Sequence, residues 1–148
     1  MSNVTAVFFS PSETTKKVVS QIANNFNDEN VVCDLLYFND EKKFESDDII
    51  VVGMPVFAGR IPKTARDRLS KLTGDNTKAI AVVNYGNAHV TDALLELVDL
   101  LDENGELDVD ASIEIDTDEL SDLSNERIDE VIDESYLELD EYINEHYR

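Results

Sequence analysis

Cysteine occurs once, at Cys33, in a chain of 148 residues. One thiol cannot close an internal disulfide, complete a cysteine-ligated zinc site or hold an iron–sulfur cluster. No apolar run approaches the ~20 residues that a membrane span needs. The opening MSNVTAVFF places no positive charge before its short apolar stretch, which argues against a secretory leader. Internal repeats, low-complexity linkers and a second domain are absent as well, so residues 1–148 are expected to form one domain. These absences point to a cytoplasmic protein. Positive charge is in short supply too: 12 Lys+Arg stand against 33 Asp+Glu, a net charge of −21. The shortage is local. Residues 1–88 hold 11 acids against 10 bases, whereas residues 89–148 hold 22 against 2, and no lysine follows Lys78. Such a field repels nucleic acid and anionic membranes and attracts basic partners. A solvated acidic face, or adaptation to high salt, would produce the same composition.

What the chain does have is apolar residues, 42% of the total, in short regular groups. Val4–Phe9 reads as a buried strand. Val18, Val19, Ile22, Ala23 and Phe26 recur at helical spacing, which predicts an amphipathic helix from Thr14 to about Asn27. A second strand is expected over Val31–Phe38, interrupted by Asp34, and IIVVG after Asp48 suits a strand covered on both faces. Pro62 fits the first turn of a helix with Ile61, Ala65, Leu69 and Leu72 inward. TGDNT is a turn, and Ala79–Val83 is a further apolar strand. A helix from about Thr91 to Glu103 should bury Leu94, Leu95, Val98 and Leu101. Leu107, Val109, Ala111, Ile113 and Ile115 then alternate with polar residues, a strand with one apolar side. A last helix is expected from about Asn125, carried by Ile128, Val131, Ile132, Leu139 and Ile143.

Strands alternating with helices call for an α/β sandwich, a parallel sheet with helices on both faces. The first, third and fourth strands are unbroken apolar runs, while the second and fifth carry acids. Covered strands belong in the middle and polar ones at the edges, which the order 2-1-3-4-5 satisfies. Ligands of such sheets bind outside the carboxyl ends of the strands. Topology therefore gathers three loops: SPSETT, MPVFAGR and NYGNAH. The first is rich in hydroxyls and runs into a helix, so it can hold an anion or simply cap the helix through Ser12.

At these loops the chain resembles the flavodoxin family, and in particular the flavodoxin-like domain that some anaerobes fuse to a two-cluster ferredoxin module. SPSETT, PVFAGRIP, and YGN followed by DALLEL at Asp92–Leu97 carry the resemblance, which is specific from residue 4 to about 101. No ferredoxin cysteines accompany it. The resemblance implies an FMN-binding electron-transfer protein with basic redox-partner proteins, acting as a monomer and without a catalytic residue or metal of its own. It implies that Ser10, Pro11, Ser12, Glu13, Thr14 and Thr15 form the phosphate loop. Glu13 stands where the family has glycine; with positive φ it would be strained, and with ordinary φ it suits the first turn of a helix. Pro55, Val56, Phe57, Ala58 and Gly59, with Asn84, Tyr85, Gly86 and Asn87, would enclose the ring. There Phe57 and Tyr85 serve as walls, the glycines allow close backbone approach, and Asn84 and Asn87 face the flavin's polar edge. His89 is read as a residue at the start of a helix.

Three other readings share this fold or its surface. A phospho-receiver needs an acidic pair after the first strand and an aspartate ending the third; Ser10–Pro11 and Met54–Pro55 occupy those places. A flavin-dependent NAD(P)H or quinone reductase would need room for a second substrate. A flavin-free acidic interaction module would need neither.

Overall fold

The computed structural model of the protein describes residues 3–10, 13–27, 29–56, 60–85, 91–103, 107–116, 124, 126, 128–130 and 136–138. Their elements run β1 (Val4–Phe8), α1 (Glu13–Phe26), β2 (Val31–Asp34), β3 (Lys42–Lys43), β4 (Ile49–Pro55), α2 (Lys63–Leu69), β5 (Leu72–Thr73), β6 (Thr77–Tyr85), α3 (Thr91–Glu103), β7 (Leu107–Asp116) and β8 (Tyr136–Glu138). The main sheet has the order β2-β1-β4-β6-β7-β8, and β3 pairs separately with β5. The first five of those strands are parallel and β8 is antiparallel to β7. With the two-residue strands set aside, the parallel order is the expected 2-1-3-4-5. The fold is flavodoxin-like.

The apolar runs explain the layers. Every residue of β1 and nearly every residue of β4 is buried, as strands covered on both faces must be. On one face Val7, Ile50, Val52, Ala81 and Val83 pack with Ala65 and Leu69 of α2 and Leu94, Leu97 and Leu101 of α3. On the other, Ala6, Phe8, Val51 and Val82 pack with Val18, Val19, Ile22 and Ala23 of α1. Gly53 of β4 lies directly under α1: a Cβ there would overlap Cγ2 of Val19 and come within 3.2 Å of Cγ2 of Thr15.

Several expectations need correction. The strand with one apolar side uses both. Ala79 of β6 pairs with Val109 but Ile80 pairs with Ala111, so the register passes over Asp110. The extra residue inverts the alternation. Leu107 and Val109 therefore join the α2/α3 cluster, while Ala111, Ile113 and Ile115 join the α1 cluster. The second strand ends at Asp34, whose Oδ1 accepts the Leu36 amide (3.0 Å) and whose carbonyl accepts those of Tyr37 and Phe38, so the chain turns there. Leu72 pairs with Lys42 in β5 instead of continuing α2. In α3 Leu97 joins Leu94 and Leu101 as fully buried, whereas Leu95 is only half-buried and Val98 packs at the rim. Residues 126 and 128–130 are helical as expected, but Tyr136–Glu138 is a strand paired with Ala111–Ile113, which covers the edge that β7 would otherwise expose. Val131, Ile132, Leu139 and Ile143 lie outside the described residues.

Candidate functional site

The carboxyl ends of β1, β4 and β6 stand side by side, with Phe8 paired to Gly53 and Pro55 to Asn84. The loops that leave these strands start together. In the first, Ser10 is buried and its Oγ accepts the backbone N–H of Lys16 at 3.1 Å, which folds the loop back on the opening turn of α1. Glu13 is the first residue of that helix. Its place there gives it a helical backbone, which a residue with a side chain adopts readily. The first-turn amides of a helix have no partner within it. That of Lys16 goes to Ser10, and the amides of the first turn lie at the positive end of the helix dipole. Pro11 and Ser12 lie outside the described residues, and of Glu13 only the backbone is described.

Thr15 and Asn84, the hydroxyl and the carboxamide expected to face phosphate and ring, meet each other. Thr15 Oγ1 donates to Asn84 Oδ1 at 2.5 Å, across 69 residues of sequence. Both residues are buried, at 1% and 7% exposure. The backbone carbonyl of Asn84 accepts the N–H of Val56 at 3.0 Å. One residue thus ties the start of α1 and the exit from β4 to the end of β6. The carboxamide nitrogen of Asn84 has no acceptor among the described residues.

The second loop leaves from buried Pro55 and half-buried Val56. It is held again at its far end, where the Ile61 N–H donates to Glu96 Oε1 of α3 (3.3 Å) and Glu96 Oε2 lies 3.9 Å from exposed Arg60. Glu96 was not foreseen as a site residue. Its one sequence signal is a carboxylate set among the leucines of DALLEL. Phe57, Ala58, Gly59, Gly86, Asn87 and His89 lie outside the described residues, and of Tyr85 only the backbone is described, as the last residue of β6.

Elsewhere, a hollow of about 270 Å³ opens at the outer edge of the sheet, lined by Val32, Cys33, Asp34, Tyr37, Phe38 and Lys42. It shares no residue with the three loops. Burial pushes the Cys33 thiol above its ordinary range, which keeps it protonated at neutral pH. Among the described residues no three His, Cys, Asp or Glu side chains cluster as metal ligands would, and no helix is long and apolar enough to cross a membrane.

The profile of the family described as "Protein of unknown function (DUF3194)" matches residues 69–142, half of the chain. No curated protein matches it in sequence. Among solved structures, the chain is similar to oxidised flavodoxin 1 of Bacillus cereus, with a TM-score of 0.62 and 19% identity over 89% of this chain and 93% of the other. It is similar also to the Fusobacterium nucleatum flavodoxin bound to flavin mononucleotide, with a TM-score of 0.61 and 12% identity over 90% and 96%. The metal-soaked Flv1 flavodiiron core of Synechocystis gives a TM-score of 0.59 and 11% identity over 88% of this chain, which spans only 35% of that one.

Proposed function

We propose, from the premise that this chain belongs to the DUF3194 family of proteins of unknown function, that it is an FMN-binding, flavodoxin-like electron-transfer protein. The observation that carries the reading is the carboxamide of Asn84. It is buried where the three loops begin, bonded on its oxygen side to Thr15, with two N–H donors and no acceptor among the described residues. Leaving such a donor unmet costs roughly 1–3 kcal/mol. The polar edge of an isoalloxazine carries the acceptors that would meet it. The opening of α1 suits the other end of the same molecule, since the amides of residues 13–15 and the neighbouring hydroxyls form a site for a phosphate. FMN, when bound, supplies the redox chemistry.

The chain's part is to hold and orient. Residues 10–15 anchor the phosphate, with the hydroxyl of Ser10 closing the loop and Glu13 accommodated by its helical backbone. Residues 55–59 and 84–87 enclose the ring, with Phe57 and Tyr85 as its walls and the peptides about Gly59 and Gly86 close to its edge. Asn84 and Glu96 fix the two ends of the second loop. We assign the protein to the cytoplasm as a monomer that meets basic redox proteins, and neither nucleic acid nor membrane.

Titration by flavin fluorescence tests this. FMN binds at least about tenfold more tightly than riboflavin, because the phosphate alone engages the helix start with charge-assisted hydrogen bonds. Equal affinities remove the phosphate assignment, and binding of neither removes the flavin reading. A carrier, unlike a reductase, shows no steady-state oxidation of NAD(P)H with a quinone acceptor.

A further inference from the structure

The FMN reading leaves open which groups touch the cofactor and which only arrange others. The carboxamide of Asn84 can stand in two orientations, oxygen or nitrogen toward Thr15. In the structure the oxygen takes that place, 2.5 Å from Thr15 Oγ1. In this orientation the carboxamide oxygen accepts the hydroxyl hydrogen of Thr15, which has no other acceptor among the described residues. Thr15 is 1% exposed and sits in the helix turn packed over Gly53, so its own position is set by the core.

Resting on that reading, we propose that Thr15 is a positioning residue for Asn84: its hydroxyl pins the carboxamide oxygen, which holds the two N–H donors ready for an acceptor on the ring. Thr15 then reaches the phosphate through its backbone amide, not its side chain. The pairing makes the site selective for ligands that present an oxygen or an unprotonated ring nitrogen where the carboxamide nitrogen faces them.

The two possible roles of the Thr15 hydroxyl separate on riboflavin, which has the ring and lacks the phosphate. Thr15→Val removes the hydroxyl and keeps the side chain's shape. As a positioning residue, Thr15 makes this variant lose about tenfold in affinity for FMN and riboflavin alike, with the FMN-to-riboflavin ratio unchanged. Thr15→Ser restores both. A phosphate-contacting hydroxyl predicts instead that only FMN weakens and the ratio collapses, which overturns the proposal. So does a Thr15→Val variant that binds both flavins like the parent. Asn84→Asp gives an independent arm: it keeps an acceptor for Thr15 while replacing the donors with carboxylate oxygens. It weakens riboflavin more than tenfold at pH 8, and unchanged riboflavin binding in this variant also overturns the proposal. Failure of the parent to bind any flavin counts against the FMN reading itself and is a separate result.

Discussion

Replacing Gly53 by alanine destabilises the protein by roughly 3 kcal/mol or more and weakens whatever binds at the start of α1. Two effects oppose each other at this position. Removing a glycine restricts the unfolded chain, which stabilises by about 0.4–1 kcal/mol when the native backbone tolerates a side chain. Gly53 has no left-handed φ, so the backbone permits that gain. The packing does not. The new Cβ overlaps Cγ2 of Val19 and stands 3.2 Å from Cγ2 of Thr15, both in α1. Val19 is fully buried and Thr15 is 1% exposed, so neither has space to retreat into. Overpacking of this kind costs typically 1–3 kcal/mol and sometimes more, and a methyl seated against two buried residues belongs at the upper end. Relief comes through lifting the first turns of α1 off β4, which lengthens the Thr15–Asn84 contact. Urea unfolding checks the stability and FMN titration the site. Val19→Ala supplies the decisive control, because it removes the atom that clashes. Alone it destabilises by opening a cavity, yet with Gly53→Ala the pair is more stable than the sum of the single changes, the non-additivity of residues in contact. Additive losses, or an alanine variant as stable as the parent, would refute the close-approach account.

The same contact marks where sequence reasoning stops. The central strands were legible because β1, β4 and β6 are continuous apolar runs, and only a doubly covered strand needs that composition. Helix α3 was legible in extent because its leucines recur with the helical period and a turn residue follows. Its inward face was read with Leu95 in place of Leu97, since three leucines within DALLEL leave the phase open. In β7 the alternation was read faithfully but assigned to one face. A bulge is an extra residue in pairing, and the five apolar residues look the same with or without it. Strand β8 had no signature because Tyr136–Glu138 is too short for a period, and its pairing with Ala111–Ile113 is a tertiary fact. The three loops of the site were placed by topology alone, and the neighbouring ends of β1, β4 and β6 agree with that placement. The bond from Thr15 to Asn84 was beyond reach. Two polar residues 69 positions apart carry no mark that they will be buried together.

Salt acts on this protein in two opposite directions. Raising ionic strength from about 10 to about 150 mM shortens the range of charge interactions from roughly 30 to roughly 8 Å. Residues 89–148 carry 22 acids and 2 bases, and residues 1–88, with 11 against 10, have no surplus to lend them. The ion pairs seen among the described residues, Arg60–Glu96 and Lys63–Asp67, draw their cations from the first part of the chain. Both cations sit on exposed side chains, where such pairs contribute little. Self-repulsion therefore survives folding, and it falls as screening sets in. The melting temperature rises by several degrees between about 10 and about 500 mM salt, equally for sodium and potassium chloride, since screening depends on charge and not on ion identity. A flat or falling melting temperature would show that the acids are spaced widely enough to ignore one another. Association with a basic partner moves the other way. The field that strains the fold attracts a cationic surface and raises encounter rates by 10- to 1,000-fold at low salt. With FMN bound and cytochrome c as a basic probe acceptor, the bimolecular rate of electron transfer drops at least about tenfold over the same salt range that stabilises the protein. A rate indifferent to salt, beside a melting temperature that climbs, would mean that the acidic surface serves hydration alone and that redox partners approach from another side.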